Sequence, residues 1–288
     1  MDRIFLVDKP INLTSRQVCN IIGKTFKEKK VGHVGTLDPF ASGVLIVSTG
    51  RCTKANAFFD ESIKEYVAEI KLGVETDTLD NTGKVIKEMD VKEYSEEEIN
   101  AVLHSFLGEQ EQVPPMTSAI HVNGVRLYDL AHKGIEIERP SRVINVYDIS
   151  LLNYNKNEGI IKVFCKVSSG TYIRVLGGDI AKKLGNVGHL VSLTRVGVGP
   201  FKKEECSSLE DIQNKVKEGY STYDVLSRFI TPVVKDDKTI EDIKNGKIKY
   251  LEINTLEDKI LVASNSLEAI AIYKRTNKGK LEFVRGLF

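Results

Sequence analysis

The sequence predicts a main domain of mixed helices and strands, followed by a small β-rich satellite. Three observations carry this. Apolar runs and alternating stretches of strand length recur through the first 200 residues. Between them lie segments of helical period with their own caps. From about Arg228 the texture changes to short alternating segments separated by Asp, Asn, Gly and Lys. The length, 288 residues, suits a large domain with a satellite and is ample for a substantial core.

The elements follow in order. IFLV (4–7) is a strand running into the DKP turn. Thr14 or Ser15 caps a helix whose apolar face is Val18, Ile21, Ile22 and Phe26. That helix ends in KEKK, where cations suit the negative end of the helix dipole. VLIVSTG (44–50) reads as a buried strand and EYVAEIKLG (65–73) as an alternating one. SEEEINAVLHSFLG (95–108) is a helix, with Ser95 and Glu98 forming a capping box and Gly108 at the stop. A polar, proline-broken stretch follows, then RLYDLAHKG (126–134) as a short helix. VINVYDISLLNY (143–154) and IIKVFCKVS (160–168) form two strands joined by NKNEG. TYIRVLGGDIAKKLG (171–185) has helical period, and its two internal glycines mark close packing or weaken the helix. The last 61 residues carry twelve basic and nine acidic side chains.

Composition is that of an ordinary globular protein, 41% hydrophobic and 28% charged, with a net charge of +1. A local basic patch can still attract phosphate on such a surface. Cys19, Cys52, Cys165 and Cys206 form no Cys-x-x-Cys pair, so they read as free thiols in a reducing cytosol. The N-terminus has too short an apolar run for a signal peptide, and no stretch approaches the roughly 20 apolar residues of a membrane span. A cytoplasmic protein without membrane contact is expected.

The stretch GHVGTLDPFASGVL (32–45) stands out. With histidine neutral, Asp38 is the lone charged side chain between Lys30 and Arg51, and Pro39 follows it directly. Asp-Pro pairs commonly open turns, so a turn aspartate is one reading. The other is a catalytic carboxylate on a loop held by rigid segments, with Gly32 and Gly35 allowing close approach to the backbone. In GTYIR (170–174), Arg174 is either a solvated helix residue or a cation that fixes a carboxylate. Tyr66 packs inward or offers its ring face to a base. His33 alone reads as a turn residue. Asp77 and Asp80 lie in TDTLDNTG, but the calcium-loop pattern fails at its sixth position, which holds Thr82. No phosphate loop or dinucleotide fingerprint is present, so ATP and nicotinamide chemistry are unsupported. A glycoside hydrolase would need a second carboxylate about 5 to 9.5 Å from Asp38, and no suitably placed acid stands out.

The ordered set DKP (8–10), GHVGTLDPFASGVL (32–45), KEYVAEIKLGVETDTLDNTGKV (64–85), QVPPMTSAIHVNGVRLYDLAHKGIEIERPSR (112–142), SSGTYIRVLGGDIAKKLG (168–185) and GHLVSLTRVGVGPF (188–201) resembles bacterial tRNA pseudouridine synthases of the TruB family. The resemblance implies an α+β pseudouridine synthase fold: a central mixed or antiparallel sheet flanked by helices, an RNA-gripping insertion, and a small PUA-like C-terminal domain. It implies domains at 1–227, with the insertion at about 109–142, and at 228–288. The implied activity is isomerisation of uridine 55 in the T-loop of tRNA. Asp38 would be the catalytic aspartate, acting as nucleophile or as the base that leads to a glycal. Arg174 would pair with and orient Asp38. Tyr66 would stack on the extruded uracil, Tyr172 and Leu193 would wall the pocket, and His33 would fill the space the base leaves. Lys9 would be structural. No cofactor or metal is implied, the partner is the T-arm stem-loop of tRNA, and a monomer is expected. In the insertion, Pro114, Pro115, Gly124 and Gly134 punctuate the chain, and Lys133, Arg139 and Arg142 could meet phosphates. Thr117, His121 and His132 depart from the family's usual Tyr, Lys and Arg, which bears on RNA affinity rather than on the surroundings of Asp38. A binding module that folds RNA without catalysis is the rival reading, and the Asp38, Tyr66 and Arg174 set favours the enzyme.

Overall fold

The computed structural model describes residues 1–59, 62–117, 135 and 137–288, together with the backbone of 121–122 and 125–126. The chain divides into two compact units, one of Met1–Pro39, Gly43–Glu61 and Pro200–Phe288, the other of Phe40–Ser42 and Ser62–Gly199.

In the first unit, β1 (Ile4–Lys9) leads to α1 (Ser15–Thr25), β2 (Val31–Val34) and β3 (Ser42–Thr49). Thr14 caps α1 by accepting from Gln17 N, and the Gln17 side chain returns the bond to Thr14 N. This satisfies two backbone donors that a helix start leaves open. β1 and β2 each run antiparallel to β3. Alternation puts Phe5 and Val7 on one face with Leu45 and Val47, and that face buries Val18, Cys19 and Ile22 of α1.

The second unit holds β4 (Ile63–Leu72), α2 (Glu96–His104), β5 (Gly108–Gln112), β6 (Arg142–Asn155), β7 (Ile160–Ser168), α3 (Ile173–Lys183) and β8 (Gly188–Val198). Its strands lie in the order β8-β4-β7-β6-β5, antiparallel throughout. Every second residue of β4 from Tyr66 onward, and of β7, is buried, the period-2 pattern of a sheet with one covered face. The two-glycine centre of α3 marks close packing. A Cβ at Gly177 would come within 2.8 Å of Leu190 Cδ2 on β8, and one at Gly178 within 3.3 Å of Leu79 Cδ2. The short helix expected at 126–134 falls outside the described residues except at Arg126, which pairs with His121 in a two-residue ladder.

The last 61 residues are β-rich as expected. Strands β9 (Thr231–Val234), β10 (Tyr250–Leu251), β11 (Lys259–Ala263), β12 (Ala269–Arg275) and β13 (Leu281–Gly286) pair in the order β9-β11-β12-β13-β10. Helix α4 (Asp237–Lys244) buries Ile240 and Ile243 with Ile260, Val262, Ile270 and Tyr273. Among the described residues no helix is long and apolar enough to cross a membrane.

Candidate active site

Asp38 sits, half-buried, in the loop that joins β2 to β3. Both of its neighbours are pinned. Ser15 Oγ donates to the Leu37 carbonyl at 3.1 Å and accepts from Leu37 N at 2.9 Å. The Pro39 carbonyl accepts from Asn12 N at 2.8 Å and from the Lys9 ammonium at 3.3 Å. Lys9 is fully buried and also donates to the Pro10 and Leu13 carbonyls, so its structural role is plain. A buried cation is tolerable here because backbone oxygens replace its water. Gly35 has φ of 68°, a left-handed turn that starts the loop and favours glycine. His33 lies on β2 opposite Val47 of β3. The carboxylate therefore rests on a loop whose backbone is fixed on both sides, which is what a reacting group requires.

Tyr66, Leu193, Tyr172 and Arg174 belong to the second unit. Tyr66 on β4 has Cys165 of β7 on one side and Arg195 of β8 on the other. Leu193 stands opposite Ala68, so Tyr66, Ala68, Leu193 and Arg195 share the covered face, and all four are buried. Two register shifts set this up, one between Leu190 and Ser192, the other between Arg195 and Gly197. Without the first, Ser192 would oppose Ala68 and Thr194 would oppose Tyr66. The extra residue brings Leu193 and Arg195 to the inner face instead, the use that bulges serve beside functional sites.

Arg174 lies in the first turn of α3 and is 3% exposed. Its Nη1 donates to Thr117 Oγ1 at 2.7 Å and to the Thr78 carbonyl at 2.9 Å, and Nη2 donates to the Thr117 carbonyl at 2.9 Å. Asp80 Oδ2 is 3.5 Å from Nη1, and both side chains of this ion pair are nearly solvent-free. Asp80 Oδ1 accepts from Thr78 Oγ1, Thr82 N and Thr82 Oγ1 at 2.8, 2.9 and 2.5 Å. The carboxylate is thus oriented by three donors while its second oxygen faces the guanidinium. Tyr172 precedes α3 in extended backbone and is gripped by the buried Gln112 amide. Tyr172 N donates to Gln112 Oε1 at 2.8 Å, and Gln112 Nε2 donates to the Tyr172 carbonyl at 3.1 Å. The Arg142 guanidinium lies 5.5 Å from the Tyr172 ring.

Asp80, Thr117, Gln112 and Arg195 join these residues although sequence reasoning assigned none of them to the site. Asp80 was visible only as an imperfect calcium-loop aspartate. Thr117, a departure expected to bear on RNA affinity, accepts a hydrogen bond from Arg174 directly. Of the cations expected to meet phosphates, Arg139 donates to the Pro114 carbonyl, and Lys133 lies outside the described residues, as do Gly124, Gly134 and His132. No group of three or more metal-ligating side chains occurs among the described residues.

Comparison with known proteins matches the model of the TruB family pseudouridylate synthase N-terminal domain over residues 23–173 and that of the tRNA pseudouridylate synthase B C-terminal domain over 174–235. A chain of a solved Cbf5-Nop10-Gar1 complex shares the fold with a TM-score of 0.73 at 24% identity, over 99% of this chain and 85% of that one. The fold and the matched models define a pseudouridine synthase, an isomerase acting on tRNA uridine. The tRNA pseudouridine synthase B of Geotalea uraniireducens is 38% identical, covering 100% of this chain and 96% of the relative. That of Clostridium tetani is 48% identical over 75% of this chain and 74% of the relative. The chain belongs to the TruB family.

Proposed function

We propose that the enzyme converts the uridine at position 55, in the T-loop of tRNA, to pseudouridine with Asp38 as its catalytic carboxylate. The observation that carries this is the Asp38 loop. One carboxylate, the lone acid in a stretch whose other titratable side chain is His33, sits between two residues held through their backbone groups. The reaction breaks the C1′–N1 bond and forms C1′–C5. The C5 proton leaves and N1 gains one, so atoms and electrons balance without oxidant, phosphate or metal. A carboxylate serves by attacking a carbon of the nucleotide or by removing a ribose proton. The target uridine lies inside a folded loop and must leave its stack first, at a cost of a few kcal/mol that RNA contacts offset.

In this reading Tyr66 stacks on the flipped uracil, Leu193 and Tyr172 wall it, and Arg174 serves as the buried cation of the site. His33 occupies the space vacated in the RNA. Residues 109–142 grip the loop, and 228–288 act as a PUA-like RNA-binding domain beside the catalytic region 1–227. The protein works as a monomer in the cytoplasm and needs no cofactor. The test is to treat an unmodified tRNA transcript with the enzyme and map pseudouridine along it. Pseudouridine confined to the T-loop uridine supports the reading. Modification elsewhere, or none, rejects it.

A further inference from the structure

We infer that Thr117 is a positioning residue, one that fixes the direction of the Arg174 guanidinium and ties it to the segment expected to grip RNA. The inference rests on the proposed reaction and deepens it. The guanidinium is a rigid fork with two hydrogens on Nη1. Those hydrogens face Thr117 Oγ1 at 2.7 Å, the Thr78 carbonyl at 2.9 Å and Asp80 Oδ2 at 3.5 Å. The two short contacts satisfy the hydrogen-bond geometry, and Asp80 remains as an ionic partner at longer range. Thr117 also receives Nη2 through its carbonyl at 2.9 Å. One residue therefore holds both terminal nitrogens. The fork cannot rotate about its own axis without losing one of these bonds. A buried arginine that loses an acceptor is left with an unsatisfied charged donor, the costly case in a desolvated site.

Position matters as much as geometry. Thr117 is separated by 57 residues from Arg174 and lies within the 109–142 segment, whereas Thr78 and Asp80 belong to the stretch after β4. The arginine is clamped from two separate parts of the chain. A valine has nearly the shape of threonine without its acceptor, and serine keeps the acceptor, so the role separates cleanly from packing.

The test compares Thr117→Val and Thr117→Ser in single-turnover release of tritium from tRNA labelled at uracil C5, with tRNA affinity measured alongside. The expected result is a rate lowered about tenfold or more in Thr117→Val, the scale of one charge-assisted hydrogen bond, with affinity within about threefold. Thr117→Ser should stay within about threefold of wild type. In an Arg174→Lys background, where the fork is gone, Thr117→Val should change the rate less than about twofold. Full activity in Thr117→Val, equal loss in the serine variant, or the same loss in both backgrounds overturns the inference. If Thr117→Val does not fold, Thr117→Ala, which also removes the acceptor, is read in its place, with Thr117→Ser as the control and the same coupling to Arg174→Lys. An inactive wild type would instead reject the proposed reaction itself.

Discussion

Arg174 and Asp80 form an ion pair 3.5 Å apart in which neither side chain has appreciable contact with solvent. Such a pair is not a cheap source of stability, since both charges give up their water. It persists because Thr78 and Thr82 saturate one Asp80 oxygen and Thr117 and Thr78 take donors of Arg174. Removing the Asp80 charge takes an ionic partner from a buried guanidinium. Asp80→Asn is expected to lower the modification rate strongly and to cost about 3 kcal/mol of stability. Denaturant unfolding and single-turnover kinetics check the two parts separately.

The close approach of α3 to the sheet sets a second expectation. A Cβ at Gly188 would lie 2.8 Å from Ala181 Cβ and 2.9 Å from the Lys71 carbonyl, neither of which can swing aside. Gly188→Ala should therefore destabilise by about 1–3 kcal/mol through overpacking. An unchanged unfolding midpoint would show that the helix can lift off the sheet.

The end of α1 predicts a gain instead. Lys27 adopts φ of 53°, and Glu28 N donates to the Gly23 carbonyl at 2.8 Å to close the helix. That left-handed position favours glycine. Lys27→Gly should raise stability by roughly 0.5–1 kcal/mol, the avoided strain less the added chain entropy. Thermal unfolding of the variant beside wild type reads it directly.

Burial pushes the Cys165 thiol up to about 12. In the unfolded chain this thiol ionises near its ordinary value while in the native protein it stays neutral. The native state thus holds the proton more tightly, and its advantage is complete below the unfolded value. Stability should fall as pH rises from about 9 toward 12, at up to about 1.4 kcal/mol per pH unit from this group. The decline should be shallower in Cys165→Ala than in wild type when unfolding is followed between pH 8 and 11. Parallel curves would show that the thiol ionises in the folded state.

Much of the architecture is legible along the chain because it depends on neighbours. The capping boxes at Thr14 and Ser95, the period-2 burial of β4 and β7, and the turn at NKNEG all lie within a few residues of their cause. The glycines of α3 are visible as anomalies, and their meaning emerges only when Leu190 and Leu79 are placed against them. The Arg174 cluster is illegible from spacing, since it joins residues 57 and 96 positions apart. The face on which Leu193 lies is likewise hidden, because strict alternation from Leu190 would turn it away and a bulge reverses the count. Resemblance pointed to Leu193 and Arg174. It does not single out Asp80 or Thr117 as partners of Arg174, because those contacts join distant parts of the chain.

On the proposed function, one carboxylate, Asp38, carries the chemistry. The most direct measurement is tritium release to water from unmodified tRNA labelled at uracil C5, by wild type and by Asp38→Asn. The substitution keeps the shape and removes the charge. Release by the wild type, with a rate lower by at least about 1,000-fold in the variant and tRNA binding retained, is the predicted result. Release by Asp38→Asn at a comparable rate would contradict the account and place the reacting group elsewhere.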